Sequence, residues 1–265
     1  MVHHARTRRK GAERVQILRR RKDRHGYAGW KNRALAWLLT PFFGCRCRIP
    51  EHIAALEEPV VFVSNHYEIF GPLSMAVSLP LRFRFWSHNI ILEPTRHIEQ
   101  MAPDLKWAVP FLTLGGARRF LRCITPVWER AISHFGAIPV SRVDAGRQRS
   151  VLRRSVEYML EDDHIVLFPE KGEPHYSNGS VTEFYRSFAL IGEMYRRRTG
   201  RSAAFCPVYI DKRRRRVSFG AVVRYGDGNA IDECERVSGE VRQAILAMAE
   251  AAHPGITRAG AEQNA

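Results

Sequence analysis

Two runs of the chain are continuously apolar and rich in β-branched and aromatic residues. They are Val60-Val61-Phe62-Val63, ending at Ser64, and Ile165-Val166-Leu167-Phe168. Runs of this length and composition predict strands buried on both faces. Leu81–Trp86, Gly136–Ser141, Ala203–Ile210 and Val217–Tyr225 read as further strands, the last two joined by the basic turn Asp211–Arg216. Between them the apolar spacing changes to three and four. Leu73–Leu79, opened by Gly71-Pro72, reads as a helix, since proline suits the first helical position. Val151, Leu152, Val156, Met159 and Leu160 mark another over 148–160. Further helices are expected over Val127–Phe135, over Glu183–Arg198 (stopped by Thr199-Gly200) and over Ser238–Ala251. Leu105–Cys123 looks helical in parts, with a break at Gly115-Gly116, and Pro169–Thr182 is a polar loop. Alternating strands and helices predict an α/β fold: a single domain with a mostly parallel mixed sheet, an antiparallel edge and flanking helices.

Ahead of this pattern, residues 1–28 are crowded with arginine and lysine against only Glu13 and Asp23. Such a stretch reads as a flexible arm. Residues 29–50 hold Trp30-Lys31-Asn32-Arg33 and the apolar stretch Ala34–Leu39, which read as an amphipathic segment lying in a membrane interface; packing of that helix on the core is the other reading. The α/β domain is expected over 51–230 and a C-terminal helix and tail over 231–265. No apolar run reaches the length that spans a bilayer, since Pro41 and Gly44 interrupt the longest. A signal peptide fits poorly, because the basic segment is long and no small-residue cleavage site follows.

The 265 residues carry a formal charge of +15, which implies an anionic partner. No recognition-helix motif, zinc spacing or aromatic-interleaved basic strand accompanies the charge, so an anionic membrane surface is expected and nucleic acid is not. Five cysteines at irregular spacing argue against a disulfide framework and for reduced thiols. Cys45, Cys47 and His52 lack a second cysteine pair at zinc spacing, and no metal is expected.

Candidate chemistry gathers where predicted strands end, the edge at which parallel sheets bind ligands. Ser64-Asn65-His66 follows the first strand. A histidine there can take a proton from an attacking alcohol near neutral pH, although a lone strand-end histidine is more often structural. Gly136-Ala137-Ile138-Pro139-Val140-Ser141-Arg142 ends in a guanidinium whose fork suits phosphate or carboxylate. Phe168-Pro169-Glu170-Lys171-Gly172 sets a carboxylate and a cation at a second strand end, and Cys206-Pro207-Val208 lies in a late strand.

Taken in order, these four blocks resemble the phospholipid/glycerol acyltransferase family, which includes the 1-acylglycerol-3-phosphate acyltransferases. The likeness covers residues from about 60 to 210. It implies direct transfer of a fatty acyl group from acyl-CoA or acyl-carrier protein to a hydroxyl of a lysophospholipid-like or glycerol-phosphate-like acceptor. On this likeness His66 is the base, Asn65, Arg142, Glu170, Lys171 and Gly172 bind substrate, and no cofactor is needed. The domain would work at the cytoplasmic face of a membrane as a peripheral protein. Two departures stand out. The family's aspartate, five residues after the histidine, is Gly71 here, and glycine cannot orient an imidazole; Glu68 is expected to stand in. Lys171-Gly172-Glu173 replaces the family's Gly-small-Arg. The alternative is a weak or inactive family member that binds lipid or acyl chains at the membrane.

Overall fold

Strand order is set by the runs that can be buried on both faces. In the computed structural model, which describes residues 30–67, 70–88, 95, 98–99, 102–103, 106, 111–134, 137–140, 145–171 and 181–254, the elements follow in chain order. They are α1 (Trp30–Phe43), β1 (Arg46–Cys47), α2 (Glu51–Ala54), β2 (Val60–Ser64), α3 (Phe70–Ser78), β3 (Phe83–His88), α4 (Leu114–His134), β4 (Ile138–Val140), α5 (Ala145–Leu160) and β5 (His164–Leu167). After them come a 3-10 turn (Arg186–Ala189), α6 (Leu190–Thr199), β6 (Ala204–Asp211), β7 (Arg216–Phe219), β8 (Val223–Arg224) and α7 (Ala230–Ala252). The basic arm 1–28 lies outside the described residues. The class is α/β with a mostly parallel, mixed sheet flanked by helices, as the alternation predicts.

The chain divides into two compact units where the sequence pattern suggests one. One takes residues up to Arg84 and from Leu152 onward; the other is Phe85–Val151. In the first, β2 lies between β5 and β6, parallel to both. Every residue of β2 and β6 is buried, as expected of strands covered on both faces. β7 and β8 pair antiparallel with β6, and β1 adds to β7 in parallel. Helix α7 covers this sheet through Cys234, Val237, Val241, Ile245 and Ala249, all buried and three or four residues apart. Asn229 caps it by accepting the Ile231 N–H at 2.8 Å. The second unit has its own small core of Ile98, Ala102, Ala117 and Leu121, with Leu112 and Leu114 against it, and a parallel β3–β4 pair that sets Trp86 beside Ile138.

Three expectations are corrected. The break at Gly115-Gly116 is absent: both glycines sit in the first turn of α4, where the Thr113 hydroxyl accepts the Gly116 N–H at 3.0 Å. The cap offsets what glycine costs there, and the helix continues through the segment expected as a separate helix over 127–135. The helix expected from Glu183 begins later. Residues 183–185 are extended, because Phe184 forms an antiparallel bridge with Glu170 and Lys171 N–H donates to the Glu183 carbonyl at 2.7 Å. The strand expected over Val217–Tyr225 splits at Gly220, whose N–H turns to the Pro207 carbonyl at 2.8 Å.

Candidate active site

Because β2, β5 and β6 are parallel neighbours, their carboxyl ends open at one edge. Asn65 follows β2 and is buried. Its Oδ1 accepts the Ile210 N–H at 2.8 Å and its Nδ2 donates to the Ile210 carbonyl at 3.2 Å. The amide thus continues the β2–β6 ladder by one side-chain rung and turns the chain into His66. Both functional ends of Asn65 are engaged by backbone, so its observed work is to set this corner.

His66 is half-buried and meets the Phe168 ring edge-on, with centroids 5.4 Å apart. Its backbone N–H donates to Glu170 Oε2 at 3.1 Å. Glu170 is held from the other side: the bridge to Phe184 fixes its backbone, and Tyr185 N–H donates to the Pro169 carbonyl at 2.8 Å. Arg242 of α7 secures the same segment by donating to the Thr182 carbonyl at 3.0 Å. Glu170 is only 8% exposed, and burial pushes its carboxyl up from 4.5 to about 8. The His66 and Thr182 backbone groups and the Arg242 charge pull the other way and do not prevail. Its Oε1 has no hydrogen-bond partner among the described residues. The structure therefore brings Asn65, His66 and Glu170 together, with Glu170 fastened to the histidine's own backbone.

Lys171 is exposed and its ammonium pairs with Glu183 at 3.1 Å while lying 5.9 Å from the Tyr185 ring centroid. It is engaged on the surface by groups that follow the polar loop. Glu68, Arg142 and Gly172 lie outside the described residues. Gly71 is in the first turn of α3, its N–H on the Tyr67 carbonyl at 3.0 Å. A β-carbon there would sit 3.5 Å from Phe168 Cε1 and 3.6 Å from the Asn65 carbonyl oxygen. Position 71 thus faces the ring against which His66 packs.

The edge holds groups that the motifs do not flag. Tyr67 and Tyr209 face one another, and burial raises both phenols. Asp211, at the end of β6, accepts the Arg214 N–H at 2.9 Å and meets His253 Nε2 at 3.0 Å, tying the end of α7 to the sheet. Phe168 was visible only as a member of its block, and Arg242 carries no local sequence signal. The cysteines are all free; burial pushes Cys47 up to about 12 and Cys206 also upward, which leaves both as protonated thiols. No group of three metal-ligating side chains occurs among the described residues, and no described helix is long and apolar enough to cross a membrane.

No protein-family model and no curated protein matches this chain. A half-buried imidazole on a corner fixed at both ends can accept a proton from a hydroxyl that reaches it. The neighbouring carboxyl is buried deeply enough to stay largely protonated at neutral pH, so it is poorly suited to hold a cation or to repel an anion there.

Proposed function

We propose that this protein is an O-acyltransferase. It moves a fatty acyl group from acyl-CoA or acyl-carrier protein to a hydroxyl of a lysophospholipid-like or glycerol-phosphate-like acceptor at the cytoplasmic face of a membrane. The observation that carries the proposal is the convergence of the Asn65-His66 and Phe168-Pro169-Glu170 blocks at one strand edge, with Glu170 bonded to the His66 backbone. His66 takes the acceptor's hydroxyl proton as its oxygen attacks the thioester carbonyl carbon. The new C–O bond forms, the C–S bond breaks, and the proton held on His66 passes to the departing thiolate. Arg142 binds the acceptor's negative group. The test is acyl transfer by the purified full chain with radiolabelled donor and a panel of acceptors. His66→Ala is expected to lower the rate by roughly 10²–10⁴-fold with its thermal transition unchanged. A folded His66→Ala protein at wild-type rate excludes His66 as the base.

Gly71 favours a second reading, a lipid-binding relative with little or no turnover. Loss of the carboxylate that orients a catalytic histidine costs on the order of 10⁴ in rate where it has been removed from a serine-protease triad. Acyl-chain binding without transfer by the wild-type protein would establish that reading.

A further inference from the structure

Over the described side chains, 36–37 and 39–43, helix α1 is largely apolar both where it packs and where it does not. Ala36, Leu39 and Phe43 are partly buried, and Phe43 meets Phe70 of α3 with centroids 6.0 Å apart. Trp37 is 79% exposed and Phe42 is 70% exposed, with the exposed Pro41 between them around the helix. A helix at a water surface normally turns charged or polar residues outward. This one turns out an indole, a phenyl ring and a proline, and the hydroxyl of the exposed Thr40 beside them is turned back onto the Ala36 carbonyl at 2.6 Å.

Its carboxyl end is held by one side chain from a distant part of the sequence. Arg215, in the turn between β6 and β7, donates Nε to the Gly44 carbonyl at 2.9 Å, Nη1 to the Pro41 carbonyl at 2.8 Å and Nη2 to the Thr40 carbonyl at 3.2 Å. The bonds satisfy carbonyls that a helix end leaves open and set a cation where the helix dipole favours one. Arg215 does this from a left-handed backbone, with φ of 49°, a position that ordinarily goes to glycine or asparagine. The turn is therefore fixed against α1.

That turn, Lys212–Arg216, is five cations in succession. The acid that precedes it, Asp211, is buried, is engaged by His253 and the Arg214 N–H, and pairs with a single guanidinium of the turn, that of Arg214 at 3.9 Å, among the described residues. Arg216 of β7 is in register with Arg46 of β1. The two are side by side on one face of neighbouring strands, both exposed, and neither has an acidic partner among the described residues. Like charges so placed repel, and an anion between them removes the cost. The cations and the apolar helix face meet at the end of α1, within about two helical turns of Trp37.

We infer that the outer face of α1 and the 212–216 turn form one docking surface for an anionic lipid bilayer, with Arg46 and Arg216 straddling a headgroup phosphate and Trp37 and Phe42 entering the interface. The inference rests on the reading that the protein works at a lipid surface, and it assigns the attachment to folded parts of the chain as well as to the basic arm. A bilayer fits better than nucleic acid because the cations adjoin exposed apolar side chains that a duplex groove does not require.

The test is co-sedimentation of the full chain with phosphatidylcholine vesicles, with and without about 30 mol % phosphatidylglycerol, together with amide hydrogen exchange on the bound protein. Exchange in 212–216 is expected to slow only on the anionic vesicles, and exchange in 37–43 on both kinds, more strongly on the anionic ones. Arg46→Ala/Arg216→Ala removes two charges worth about 1 kcal/mol each near such a surface. It should weaken anionic-vesicle binding about 30-fold and leave binding to phosphatidylcholine alone unchanged. Phe42→Ala should weaken binding to both. Unchanged exchange at 212–216 on bound protein, or an alanine pair that binds as wild type, overturns the inference, as does protection of the same amides by duplex DNA in the absence of any by vesicles. Transfer to a detergent-dispersed acceptor separates the two readings. The alanine pair should keep it, whereas a wild-type protein that docks on vesicles but transfers to no acceptor leaves the surface standing and removes the enzyme.

Discussion

Replacing Glu170 by glutamine keeps the shape of the side chain and removes its ability to ionise. Its carboxyl titrates at about 8 in the fold against 4.5 for the free group. Between those values the folded protein holds a proton that the unfolded chain has released. Wild-type stability therefore falls as pH rises through this window and levels off above about 8. Each unit is worth about 1.4 kcal/mol, so the whole window sets a loss of roughly 3–5 kcal/mol, a large part of the 5–15 kcal/mol typical of a domain. Glutamine has no such slope, and its oxygen can still accept the His66 N–H. Urea unfolding of both proteins from about pH 5 to about pH 9 measures the difference directly. The curves should coincide near the acid end and diverge above it, with the glutamine variant more stable by that amount at the basic end. Parallel curves refute the reasoning, because they mean that Glu170 ionises in the fold as easily as in water. Glu170→Ala should behave differently: it leaves the half-buried His66 N–H without its acceptor, at about 1–3 kcal/mol, and should lower the transfer rate where Glu170→Gln largely preserves it.

At Gly71 a β-carbon meets only ordinary van der Waals contacts, and Gly71→Asp should raise the transfer rate tenfold or more if His66 lacks a full orienting carboxylate; an unchanged rate in a folded variant excludes position 71 from that role. Asn65→Ala strips the Ile210 N–H and carbonyl of their partners and should cost about 2–4 kcal/mol in denaturant unfolding, with a loss below about 0.5 kcal/mol counting against the side-chain rung. His164 accepts the Val60 N–H at 3.0 Å, and burial lowers it from 6.5 to about 4. The unfolded chain gains a proton there that the fold refuses, so stability should fall by roughly 2–3 kcal/mol as pH drops from 6.5 to 4. His164→Phe should abolish that slope in the same unfolding measurements, and an unaltered slope would assign it to other groups.

Strands β2, β5 and β6 were legible because a continuous β-branched and aromatic run has no stable place except between two covered faces. The register of α5 was legible for the same reason, in the spacing of Val151, Val156 and Met159. Strand ends were legible too, so His66 and Glu170 could be placed at the edge of a sheet from the sequence. What the sequence did not determine was decided by partners far along the chain. Residues 183–185 have a helical pattern, yet the backbone bonds they make with 169–171 outweigh it. Glu170 reads as a substrate carboxylate from its motif, while the fold turns it onto the His66 backbone 104 residues away and buries it until it resists ionising. Asn65 reads as a binding group, and both ends of its amide go to Ile210, 145 residues away. Lys171 reads as a pocket cation, and it lies on the surface against Glu183. Arg215 reads as one more charge in a basic turn, and it closes the end of a helix more than 170 residues earlier. Local pattern fixes which segments must be buried, because burial depends on the side chains within a few residues. The role of a polar side chain depends on which group meets it and how much water remains, and those are set only when distant segments have packed.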